Sequence, residues 1–169
     1  MACWQAVMAP THLERFLAQS YKLSETTFYH YELRDPWVQG CLEDWAAMLD
    51  YVGEYLDPVL FDSLLLLVAT HTVNFTRLGL ARKEFNSFGA LQFDKDVRAL
   101  RSFFTSRAHE VSLRDAFAPL NLTSTLLLSD SPRDALEEAH NLALTAKEKI
   151  NVLLLRVDFN KQDVLALHL

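Results

Sequence analysis

The sequence is poor in the residues that build turns. Of its 169 residues only 4 are glycine and 5 are proline. A β-sandwich or barrel turns every few residues and draws more heavily on both, which argues against an all-β fold. The glycines, Gly40, Gly53, Gly79 and Gly89, lie far apart. A phosphate-cradling or dinucleotide loop needs them clustered, so the P-loop and Rossmann readings are excluded. Cysteine is scarcer still: Cys3 and Cys41, with no Cys-x-x-Cys. That makes no disulfide framework and suits a reducing compartment. No basic flank followed by an apolar stretch opens the chain, so no secretory signal is visible. In the most apolar region the longest clean run is Leu64 to Ala69, too short to span a bilayer. These absences together predict a cytosol-facing protein without a transmembrane segment.

Basic residues are also in deficit. There are 16 Lys and Arg against 22 Asp and Glu, for a net charge of −6. A general nucleic-acid binder leans the other way, and none is expected as a partner. The balance is uneven along the chain. Residues 1 to 62 carry 10 acids and 3 bases, and residues 63 to 115 carry 5 acids and 8 bases. The basic middle contains Arg77, Arg82 and Lys83, a candidate patch for an acidic partner.

What the sequence has is helical periodicity. Trp37, Cys41, Trp45, Met48, Leu49 and Val52 form one stripe at helical spacing, after Pro36 at a first-turn position. Asp57-Pro58 is a cap followed by a first-turn proline, and it opens a segment to about Ala81 that is apolar on most sides. Such a helix belongs at the centre of a fold. Lys83 to Phe93, with Asn86, Ser87 and Gly89, reads as a loop, and Asp94 as the cap of a helix to about Arg107. Ser112 to Asp115 and Thr145 to Glu148 carry capping-box spacing, and Ser131-Pro132 starts a further helix. Pro119 lies inside the helix after Ser112 and should kink or restart it. No segment alternates with period 2 for long. The pattern predicts an all-α antiparallel bundle of about seven helices. It is one domain over 1–169, or two sub-bundles over 1–110 and 111–169.

Catalytic patterns are missing. No two histidines lie four apart as on a zinc-protease helix, and there is no Gly-x-Ser-x-Gly elbow. Cys41 sits on an apolar stripe, where a buried thiol is the ordinary occupant. Glu137-x-x-His140 is half of a di-iron bundle signature whose second half is absent, leaving a small metal-binding helical protein or enzyme as an alternative reading. A generic helical interaction scaffold is the other. No cofactor is implied, and nothing argues for an enzyme.

One stretch is more specific than helix formation requires. Phe85-Asn86-Ser87-Phe88-Gly89-Ala90-Leu91-Gln92-Phe93-Asp94-Lys95-Asp96-Val97-Arg98-Ala99-Leu100 closely resembles a stretch of subunit 4 of the conserved oligomeric Golgi complex. Ser112-Leu113-Arg114-Asp115-Ala116-Phe117-Ala118 resembles a second motif of that family. Leu153-Leu154-Leu155-Arg156-Val157-Asp158-Phe159, followed by Asp163, resembles a third, and all three fall in the family's order. The resemblance implies the C-terminal helical bundle of multisubunit tethering complexes and a role in retrograde intra-Golgi vesicle transport. It implies sibling subunits, SNARE proteins and Rab GTPases as partners, and a peripheral place on the cytoplasmic face of the Golgi membrane. Gly89, Leu91, Gln92, Phe93, Asp94, Arg114, Asp115, Phe117, Glu148, Arg156, Asp158 and Phe159 are the positions that match it. Family members are several times longer, with an N-terminal coiled-coil region that is not matched here. The family's arginine that pairs with the glutamate at Glu148 falls on Pro119, so that pair does not form as such. Glu148 is then favoured as the capping-box acid of Thr145. The Gly89 to Asp94 stretch is expected to be structural, docking a loop against the bundle.

Overall fold

A computed structural model describes residues 10–33, 37–139 and 144–167, with side chains described for neither 10–13, 32–33 nor 136–139. The described residues form nine helices and no strand. These are α1 (Pro10–Ala18), α2 (Glu25–Leu33), α3 (Val38–Gly53), α4 (Pro58–Leu80), α5 (Ser87–Thr105), α6 (Arg114–Leu128), α7 (Pro132–Ala139), α8 (Ala146–Leu153) and α9 (Lys161–Leu165). The all-α expectation holds, with two helices more than the seven expected. The extra ones include α2, in the aromatic stretch after Ser24, where local periodicity is weak.

Where caps are strong, helix starts fall as predicted. The Asp57 carboxylate accepts from the backbone amides of Val59 (3.0 Å) and Leu60 (3.1 Å), and Pro58 occupies the first helical turn. Thr145 and Glu148 form a reciprocal capping box on α8. Ser131 accepts from the Asp134 amide (3.2 Å) before α7. The Pro36 position lies outside the described residues.

Two predictions fail. Gly89 to Asp94 is not a loop but the first turns of α5, and the cap is Asn86, not Asp94. The Asn86 side chain accepts from the Gly89 amide at 2.9 Å. Ser112 caps nothing: Leu113 stands at the N-cap of α6 without a side-chain bond, and α6 runs unbroken through Pro119. Pro119 is only the sixth residue of α6, so the ring removes one early hydrogen bond and leaves the rest of the ladder intact.

The main core joins α1, α3, α4, α5 and α6 around Phe16, Trp37, Leu65, Phe93, Phe104 and Phe117. Trp37 and Trp45 are buried as expected, while Trp4 lies outside the described residues. A smaller cluster of Leu126, Ala135, Leu153 and Val164 joins α6 to α7, α8 and α9. Length and composition alone would let α4 cross a membrane. Here it packs against α1, α3 and α6. Its buried Asp62 accepts from the amides of His109 (2.9 Å), Glu110 (2.8 Å) and Val111 (2.9 Å). It is not covered all round, however: Val59, Leu60, Leu67 and Leu78 face outward.

Candidate functional site: a polar frame and the surface it supports

Two of the three motif stretches, far apart in the chain, meet in one place. Phe85, just ahead of α5, sits between the segment after α1 and the segment after α8. Its amide donates to Leu155 O (2.8 Å) and its carbonyl accepts from Val157 N (2.8 Å). On the other side it pairs in parallel register with Tyr21, and the Asn86 amide donates to Tyr21 O (3.3 Å). The rings follow the backbone: Tyr21 stacks on Phe85 with centroids 4.8 Å apart, and Phe93 meets both edge-on. Gly89 lies so close to this junction that an added Cβ would stand 1.5 Å from Tyr21 O.

Buried polar groups lock the junction. Asp96 accepts from Tyr21 Oη (2.5 Å), Trp37 Nε1 (3.0 Å) and Gln92 Nε2 (2.7 Å). The Asn86 amide group closes a two-way bond with Leu23, accepting from its N–H (3.2 Å) and donating to its carbonyl (2.6 Å). Asp94 accepts from Ser124 Oγ of α6 (2.8 Å) and from Arg98. Arg156 is buried, donates to Leu127 O and Ser129 O at the end of α6, and forms a two-pronged pair with Asp158 (2.8 and 2.9 Å). Those bonds from Arg156 hold the Asp158 carboxyl below its ordinary range. The Phe159 ring lies under the guanidinium at 4.2 Å. Of the other matched positions, Phe117 is fully buried, while Leu91, Arg114 and Asp115 are exposed.

Lys83 corrects the predicted basic patch. It is buried, and its ammonium donates to Phe16 O (2.7 Å), Leu17 O (2.7 Å) and Gln19 O (2.5 Å). It caps the C-terminal end of α1, where carbonyls point outward unpaired. Burial pushes its pKa down from the usual lysine value. Only Arg77 and Arg82 of the three face solvent. Arg77 reaches Glu148 at 3.6 Å, so Glu148 is both the capping-box acid of α8 and the partner of a base on α4. Its pKa is lowered by the bonds to Thr145 first and by Arg77 last. A cleft of about 170 Å³ opens beside this pair, floored by Leu80, Val152 and Leu155.

Among the described residues no catalytic constellation emerges. Among the described residues no three His, Cys, Asp or Glu side chains come together as metal ligands. The Glu137 side chain and His140 lie outside the described residues. Cys41 is fully buried in the core. Sequence reasoning missed Tyr21, Asp62 and Asp96, which hold the frame together. Their partners are remote in the chain and leave no local pattern.

Residues 5–155 match the family model described as conserved oligomeric Golgi complex subunit 4, C-terminal. The chain is similar to proteins called conserved oligomeric Golgi complex subunit 4: 32% identical over 164 residues to that of Pongo abelii. Identity is 30% over 163 residues to that of Homo sapiens, and 31% over 156 residues to that of Arabidopsis thaliana. These alignments take in 93%, 93% and 89% of this chain and 21% of each relative. The chain thus spans about a fifth of the length of the relatives it matches.

Proposed function

Because the chain belongs to the family of the C-terminal region of conserved oligomeric Golgi complex subunit 4, we propose that it is a non-catalytic part of a Golgi vesicle-tethering complex. In this reading it acts in retrograde intra-Golgi transport by presenting helix surfaces to sibling subunits, SNARE proteins and Rab GTPases. It works at the cytoplasmic face of the Golgi membrane, held there by its partners. The family match over residues 5–155 carries the proposal. The chemistry of the matched residues supports it. Phe93, Phe117 and Arg156 are spent on packing and on bonds within the chain, so the motifs serve a scaffold whose outer faces do the work.

The test is recovery of a tagged chain from cells. Golgi-complex subunits should co-purify, and the tagged chain should collect at the Golgi. Absence of every complex subunit from the eluate, with a folded chain, would refute assembly through this region. Within the reading, the exposed bases Arg77 and Arg82 are a contact for an acidic partner. Reversing both charges should weaken that capture and flatten its salt dependence without unfolding the chain. Unchanged capture would make them ordinary solvated surface.

A further inference from the structure

Between α3 and α5 runs an open apolar groove of about 390 Å³. Its floor is Val38, Leu42 and Ala46 from α3, with Ala99 and Phe103 from α5. Ala46 and Ala99 are short enough to admit the side chains of an incoming helix. One end is closed by Arg107, whose guanidinium lies 4.0 Å from the Phe103 ring and 3.5 Å from Asp50. Val38 and Gln39 line the other end.

The rim is charged on one side. From Val38 to Gly53, α3 contains Glu43, Asp44 and Asp50 and no Lys, Arg or His. Glu54 follows at its C-cap with helical backbone angles. Glu43, Asp50 and Glu54 stand at i, i+7 and i+11, which sets them along one edge, and Glu43 lines the groove itself. All three are exposed. On the α5 side two of the three bases are engaged. Lys95 lies over the Phe28 ring at 4.4 Å, and Arg98 pairs with Asp94. Arg107 answers Asp50 alone, so the rim keeps an excess of negative charge along α3.

We propose that this groove docks an amphipathic helix from a protein partner, with its apolar stripe on Ala46, Ala99 and Phe103 and a row of lysines or arginines along the edge that faces α3. The apolar floor supplies attraction, and the acidic edge selects orientation and partner. The proposal deepens the binding role above and rests on that reading.

The probe is a pair of synthetic helical peptides about 20 residues long. Both carry leucines at i, i+3, i+4 and i+7. One bears lysines along the flanking edge and the other bears glutamates there. Each is titrated into the full 169-residue chain, followed by Trp45 fluorescence and by amide shifts of Leu42, Ala46 and Ala99. Trp45 reports because its ring packs on Phe103, with centroids 6.5 Å apart. The lysine peptide should bind about tenfold or more tightly than the glutamate peptide. Ala99→Arg should abolish the response. The double reversal Glu43→Lys with Glu54→Lys touches only exposed side chains and should invert the preference. Equal binding of the two peptides, shifts centred away from the groove, or no response overturns the proposal. So does a concentration-dependent dimer dispersed by Ala99→Arg, which would assign the groove to a second copy of the chain. Failure here while the tagged chain still recovers complex subunits would refute the groove alone. Groove binding without such recovery would refute the Golgi reading.

Discussion

At the scale of single residues, the tightest constraint falls on Gly89. None of the described glycines has positive φ, so this one is required for close approach and not for a turn. Gly89→Ala drives a methyl group into the carbonyl of Tyr21, which has no side-chain freedom to yield. It should cost about 3 kcal/mol, the upper part of the usual range for overpacking, read from the urea midpoint. A wild-type midpoint would show that the two segments do not touch. Phe93 is fully buried among Tyr21 and Phe85, and Phe93→Ala should cost about 3–5 kcal/mol in the same assay. Phe93 was expected in a loop, and its place on the buried face of α5 was not legible from local spacing. Burial of Lys83 was not legible either, since lysine belongs by default at the surface. Only three carbonyls converging from the end of α1 reverse that default. Lys83→Met would leave those acceptors without their donor and should cost roughly 1–3 kcal/mol. A variant as stable as the wild type would place the ammonium in solvent.

At the scale of elements, helix starts were readable wherever the capping residue and its neighbours spoke together. Asp57-Pro58 and Thr145 to Glu148 each carry two agreeing signals. The Lys83 to Phe93 stretch carried conflicting ones. Asn86, Ser87 and Gly89 form turns in isolation, yet the same asparagine caps a helix when that helix has a face to bury. Here the face exists, because Phe93 and Val97 are core residues. Tertiary packing therefore decided what local propensity left open. The Ser112 signal failed because the turn before α6 is organised from elsewhere. Residues 109–111 give their amides to Asp62 of α4. These amides, His109 and Glu110 foremost, hold the Asp62 carboxyl below its ordinary value of 3.8. The folded chain thus prefers the charged form more than the unfolded chain does. The stability this confers is complete above 3.8 and is lost as pH falls through the lower folded value. Asp62→Asn should lower the melting temperature at neutral pH, and the gap to the wild type should narrow on acidification below that value. A gap of constant size into acid would mean that the contribution is not ionic.

At the scale of the whole molecule, the all-α class and the helical order were readable from composition and period, but the closing of the fold was not. The bonds that close it run between segments with no shared pattern, such as Tyr21 to Asp96 and Arg156 to Leu127. The groove was equally hidden. Ala46, Ala99 and Phe103 look like ordinary helix residues until α3 and α5 lie side by side. Arg156 links the two clusters, since it sits at the end of α8 and binds the last carbonyls of α6. Arg156→Leu would leave those buried carbonyls without their donor, at a cost of about 1–3 kcal/mol. Limited proteolysis should then cut first within α8 or α9. A digestion pattern identical to the wild type would show that the smaller cluster holds without it.

The position of Phe85 between Tyr21 and Arg156 also bears on how the chain is made. Tyr21 and Phe85 can meet while synthesis is still under way. The rung that Phe85 forms with Leu155 and Val157 cannot close until the segment beyond α8 has been translated. Until then a buried amide and carbonyl at the centre of the fold lack their partners. A premature stop before residue 156 would not trim a tail. It would release a chain whose interior was never finished.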